Sequence, residues 1–192
     1  MKQFLIPLAL TTVFGLSQCK KDDPQASLPD ETQVGANTGG CLINGQAFIA
    51  TGWGGSLLTN PIKPVLGGFA FDSTFYLRLY GQLNGANTTV TLFLRSHRAK
   101  VYPMAGTYLL DKTTQYYPQQ VAQYTLNHAT YTTADNSNEV YVTDARHTGQ
   151  VILTRADTLR NVSSGTFQFT AASQLDPTKT VTITSGRFDR QQ

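Results

Sequence analysis

The chain has few cysteines, few histidines and little charge, and each shortage closes off a kind of chemistry. Its two cysteines, Cys19 and Cys41, cannot build a disulfide framework. Its three histidines, His97, His128 and His147, stand far apart. Neither they nor the cysteines have the spacing of a metal-ligand set, so no metal and no cofactor is expected. Charged residues make up 14% of the chain, with 15 basic against 12 acidic, and the basic ones are scattered. Without a basic stripe, no nucleic-acid partner is expected. No apolar run approaches the roughly 20 residues of a membrane-spanning helix. There is no Gly-x-Ser-x-Gly nucleophile elbow. Gly52-Trp53-Gly54-Gly55-Ser56 lacks the Lys-Thr and the following helix of a phosphate loop. No repeat recurs at a fixed period, and no segment carries a three-turn amphipathic helix.

Alternation with period two fills the chain instead. In Thr74–Tyr80, Phe75, Leu77 and Leu79 point one way and Tyr76, Arg78 and Tyr80 the other. Thr88–Arg95, Thr166–Ala171 and Thr180–Thr184 alternate in the same manner, as half-buried strands do. Further strands are predicted at Cys41–Ile43, Gln46–Ala50, Gly67–Phe71, Gly106–Leu110, Val121–Thr133, Glu139–Thr143 and Gly149–Thr154. Asn44-Gly45, Asn84-Gly85-Ala86-Asn87, Asp135–Asn138 and Asp176-Pro177 are turn signals between them. The connections are too short for crossover helices, which predicts antiparallel order. The pattern predicts an all-β antiparallel β-sandwich, with an up-and-down or lipocalin-like β-barrel as the alternative.

The N-terminus is of another kind. Lys2, the mostly apolar Phe4–Leu16 and a cysteine at position 19 describe a secretory leader. Leu16-Ser17-Gln18-Cys19 resembles the bacterial lipobox, which implies cleavage before Cys19 and acylation of its sulfur. Several acyl chains anchor a protein almost permanently, since each buried methylene contributes about 0.8 kcal/mol. Lys20-Lys21-Asp22-Asp23 resembles the surface-export signal of Bacteroidota lipoproteins. The organisation expected is therefore residues 1–18 as signal peptide, 19–40 as a lipidated flexible tether that lifts the domain off the membrane, and 41–192 as one β domain. The tether rests on the polar, Pro/Gly-containing composition of Lys20–Gly40, which lacks the apolar surface to offset ordering entropy. Cys41 is expected as a small buried hydrophobe.

Two further segments carry a resemblance. Asn37-Thr38-Gly39-Gly40-Cys41-Leu42-Ile43-Asn44-Gly45 opens the domain. Gly165–Ala171 and Val181–Asp189, with Gly186-Arg187-Phe188-Asp189, close it. Together they resemble a group of Bacteroidota surface lipoproteins with a Gly-Cys-x-x-Asn-Gly opening and a closing hairpin ending in Gly-Arg-Phe-Asp. The resemblance implies an all-β domain and a surface-lipoprotein address, and no activity. In the closing hairpin, Phe167, Phe169, Val181 and Ile183 are expected to share a core face, and Arg187 and Asp189, two apart, to lie on one face as a paired surface.

Candidate chemistry is sparse. Asp144 and His147 could bring a carboxylate and an imidazole together, although a solvated turn is the commoner use of such a sequence. Eight carboxylates of the folded part, among them Glu139, Asp157 and Asp189, offer many pairs for a two-carboxylate hydrolase, mostly at turns. Trp53, Tyr116 and Tyr117 lie in loops, where rings can stack on sugar faces; for Trp53 the leading expectation is that it closes one end of the core. Asp72-Ser73-Thr74 and Asp157-Thr158-Leu159 resemble O-glycosylation acceptors, which would put Ser73 and Thr158 at the surface. The reading is a non-enzymatic, lipid-anchored protein of the outer membrane, facing the cell surface or else the periplasm. It would bind a glycan, a peptide or a partner envelope protein. An envelope enzyme with an unrecognised carboxylate/His site and a structural subunit of an outer-membrane complex are the alternatives. A lumen ligand replaces these if the strands close into a barrel. Oligomeric state has no signature.

Overall fold

Alternating residues become strands because one face must leave water while the other stays in it. The computed structural model describes residues 23–55, 59–70, 73–96, 100–113, 127–134 and 139–192. Among them are eleven strands: β1 (Thr38–Ile43), β2 (Gln46–Ile49), β3 (Val65–Ala70), β4 (Thr74–Leu83), β5 (Ala86–Arg95), β6 (Gly106–Leu110), β7 (His128–Thr133), β8 (Val140–Val142), β9 (Gly149–Asp157), β10 (Val162–Ser173) and β11 (Thr180–Gln191). The described residues contain no α-helix, only a 3-10 turn at Pro24–Ser27. All pairings are antiparallel and form one sheet in the order β2-β1-β11-β10-β8-β7-β5-β4-β3. Strand β9 also pairs with β10, and β6 with β9. The fold is thus all-β and antiparallel, as the alternation predicts.

The sheet curls into a half-barrel. Register shifts between Phe167 and Phe169, between Ser164 and Gly165, and between Gly40 and Leu42 mark bulges, which bend strands and increase their twist. The two twelve-residue strands β10 and β11 carry most of this curvature. Strand β10 pairs with β9 along Val162–Phe169 and with β8 at Ala172 and Ser173. The curl brings the far strands together over one core. Phe75 of β4 stacks on Phe188 of β11 at 6.1 Å, and Phe188 meets Phe167 at 6.5 Å. Cys41, Phe48, Leu77, Leu79, Leu92, Val151, Phe169, Val181 and Ile183 fill the same core. Burial pushes the Cys41 thiol far up, so it acts as a small apolar side chain.

Hairpin β1–β2 turns at Asn44 and Gly45, with φ of 49° and 81°. Hairpin β4–β5 turns at Asn84 and Gly85, with φ of 52° and 80°. These positive angles are what the Asn-Gly pairs supply.

The segment expected as a flexible tether is different. From Asp23 onward it is laid against the sheet, with Leu28 buried and the chain already in β1 at Thr38. Polar composition deprives it of apolar contact, but the buried carboxylate of Asp189 collects its backbone N–H groups. The expected leader, Cys19, the expected turn Asp135–Asn138, and the candidates Tyr116, Tyr117, Asp72 and His97 lie outside the described residues.

Candidate ligand-binding face

Strand β4 buries Phe75, Leu77 and Leu79 completely. Tyr76, Arg78 and Tyr80 therefore share its opposite face, each half-buried. Same-face residues recur every second position, so Tyr76 to Tyr80 spans about 13 Å. The Arg78 guanidinium lies over the Tyr76 ring at 5.8 Å, and its Nη1 reaches the Tyr80 hydroxyl at 3.5 Å.

The loop after β2 adds Trp53 to this row. The Gly52 N–H donates to the Tyr80 carbonyl at 2.8 Å, and the Tyr80 N–H donates to the Pro64 carbonyl at 2.8 Å. Trp53 and Ile62 form a two-way antiparallel bridge at 3.3 and 2.9 Å. The indole thereby meets the Tyr80 ring edge-on, with centroids 5.1 Å apart and planes at 89°. Trp53 is half-buried and stands outside the core cluster, so it does not close the core. Of the three loop aromatics read from the sequence, Trp53 is the one that can be placed. Its partners Tyr76, Arg78 and Tyr80 were missed as a site, although an aromatic-x-Arg-x-aromatic alternation on the polar side of a core strand was there to be read.

The row runs into a recess of about 400 Å³ between β3 and the end of β11, lined by Asn37, Lys63, Gly67, Tyr76, Arg190 and Gln192 among others. Arg190 is 2% exposed. Its Nη1 donates to the Asn161 carbonyl at 3.3 Å and to Asn161 Oδ1 at 3.1 Å, and its Nη2 donates to Gln192 Oε1 at 3.2 Å. A Cβ on Gly68 would fall 2.5 Å from that Nη1, so only glycine leaves room for the guanidinium. Burial lowers the Arg190 pKa, and Tyr76 opposes the shift. Among the described residues no carboxylate forms an ion pair with Arg190.

The other candidates serve the fold. Asp189 is fully buried. It accepts hydrogen bonds from Thr32 Oγ1 at 2.6 Å, from the N–H groups of Val34, Gly35 and Ala36 at 2.9, 2.8 and 3.1 Å, and from Ser164 Oγ at 2.7 Å. Burial pushes its pKa up, but these donors outweigh burial and hold it at about 2. Arg187 reaches the Pro29 carbonyl at 3.4 Å and Glu31 at 3.9 Å. Arg187 and Asp189 do share a face, and both bind the N-terminal segment there.

Asp144 Oδ1 accepts from the N–H groups of Arg146 and His147, both at 2.7 Å, and lies 3.0 Å from His147 Nδ1. This is a capped turn at the exit of β8. Glu139 is buried and accepts from Tyr141 Oη at 3.0 Å and from Ser173 Oγ, with Lys179 at 3.6 Å. Those contacts lower its pKa against the effect of burial. Among the described residues no three of His, Cys, Asp and Glu gather as metal ligands.

Thr158 is exposed, but Ser73 is not a surface acceptor. It is 2% exposed, and its Oγ accepts the Lys100 N–H at 2.9 Å. The turn before β4 folds inward, which a three-residue pattern cannot foresee.

The fold and the face together define an all-β antiparallel domain with an aromatic-cationic outer row. Residues 70–190 match the family described as "Domain of unknown function (DUF6252)", and the chain belongs to that family. The matched span holds Tyr76, Arg78, Tyr80 and Arg190, while Trp53 and Lys63 precede it. No curated protein and no solved structure matches the chain.

Proposed function

We propose that the protein is a lipid-anchored binding protein of the outer membrane, exposed at the cell surface, that holds a glycan on the outer face of β4 and is not an enzyme. The observation that carries the binding reading is the Trp53–Tyr80 ring pair, edge-on at 5.1 Å and outside the core. A core has no use for an indole placed there, whereas half-buried rings with polar tips suit the apolar faces and hydroxyls of a sugar. Arg78 between the two tyrosines supplies donors at the same level.

The carboxylate surroundings argue against one enzyme class, the glycosidases. A glycosidase acid needs a raised pKa, while Glu139, Asp144, Asp157, Asp176 and Asp189 all shift downward. Anchoring through Cys19 rests on the lipobox resemblance and the apolar leader. With the chain first tied to the sheet at Gln25, only six residue steps separate the domain from the lipidated cysteine, at most about 22 Å. The domain then sits close to the bilayer and its partners reach it laterally.

The test is calorimetric titration of the full chain, purified in detergent, with a panel of oligosaccharides. Trp53→Ala should weaken the best ligand about tenfold or more and leave the melting temperature within a few degrees. Absence of any sugar binding, or an unchanged affinity in Trp53→Ala, would overturn the reading.

A further inference from the structure

We propose that the recess at the β3–β11 seam binds the carboxylate of an acidic sugar, with Arg190 and Lys63 as its cations and Tyr76 as a wall shared with the ring row. The inference rests on the glycan reading and sharpens it: the ligand is a uronate-containing glycan.

Three observations converge. First, a guanidinium that is 2% exposed is costly to hold unless it is compensated, yet the partners of Arg190 are neutral oxygens of Asn161 and Gln192. A planar carboxylate fits the fork of an arginine better than those oxygens do. Second, the recess shares Tyr76 with the ring row. Tyr76 lines the one and lies under Arg78 in the other, so a sugar chain stacked along Trp53, Tyr80 and Tyr76 delivers its next ring to Lys63 and Arg190. Third, the remaining polar lining is amide: Asn37, Gln191 and Gln192 offer both donors and acceptors to hydroxyls.

An acidic peptide is the competing occupant, and the backbone argues against it. Strand β3 is the last of the sheet order and would be the natural template for an added strand. Gly67 and Gly68, both at φ 132°, break its regular edge, and Gly68 packs against the Arg190 guanidinium.

The experiment compares oligomers of galacturonate and of glucuronate with their methyl esters, titrated calorimetrically into the full chain in detergent, with neutral oligosaccharides in parallel. One of the acids should bind at least tenfold more tightly than its ester. Lys63→Ala, at an exposed position, should shrink that ratio to threefold or less, with most of the loss falling on the acid. Arg190→Gln should do the same where it folds, and Lys63→Ala suffices where it does not. Equal binding of acid and ester overturns the carboxylate site and leaves the ring row standing if neutral sugars bind. A ratio unmoved by Lys63→Ala also overturns it. If no uronate binds in either form, the proposal fails, and the neutral panel decides separately whether the ring row fails with it. Tighter binding of polyglutamate than of any uronate assigns the recess to an acidic peptide instead.

Discussion

Asp189 shows how one side chain can organise a segment more than 150 positions away. Its five donors include three successive or near-successive backbone N–H groups, from Val34, Gly35 and Ala36. A carboxylate satisfied this way stays ionised far into acid. Its pKa falls from 3.8 to about 2 on folding. A depressed folded-state pKa contributes stability that is fully present above the unfolded value and is lost as pH falls through the folded one. Asp189 should therefore contribute about 2 kcal/mol at neutral pH, disappearing between about pH 4 and pH 2. Asp189→Asn should lower stability by about 1–3 kcal/mol at pH 7, and its loss of melting temperature between pH 5 and pH 2 should be smaller than that of the wild type. Denaturant melts at the two pH values check this; parallel acid profiles would refute it. The sequence revealed that Arg187 and Asp189 share a face. It could not reveal the donors, because backbone N–H groups carry no residue signature.

At the scale of elements, the strands were legible and the strap was not. β4, β5, β10 and β11 begin where the alternation begins or within a few residues of it, since their apolar faces are long enough to define a period. The Asn-Gly turns were legible for the same local reason. Residues 23–37 bury little beyond Leu28, so composition alone reads them as loose. Amide exchange separates the two descriptions. The N–H groups of Gly35 and Ala36 should exchange at least tenfold more slowly than an unstructured chain of the same sequence, and Asp189→Asn should remove that protection. Exchange at the unstructured rate in the wild type would restore the flexible tether. The Trp53 loop follows the same logic: its glycines and prolines announced a loop, but its two ties to Tyr80 come from a strand paired later in the chain.

At the scale of the whole molecule, curvature puts the site together. Trp53 and Lys63 belong to the connection between β2 and β3, Tyr76 and Tyr80 to β4, and Arg190 to the end of β11. They are neighbours because the bulged long strands bring the seam around, with Phe75 on Phe188 beneath it. The proposed address of the molecule is a separate matter that rests on the N-terminal residues. Metabolic labelling with a palmitate analogue in an expressing bacterium should mark the protein, and Cys19→Ser should abolish the label. A labelled Cys19→Ser, or an unlabelled wild type, would end the lipoprotein reading.

The all-β class, the antiparallel order, most strand positions, the Asn-Gly turns and the inward set of side chains are legible in the residues alone. Each follows from period-two burial and local turn chemistry, which act over a few residues. Only the tertiary structure decided that the N-terminal segment is strapped down by Asp189, that Ser73 is buried, that Trp53 lies outside the core on Tyr80, and that Arg190 lines a recess. Each of those depends on the register between strands far apart in the chain, and on a curl set by bulges that no single segment encodes.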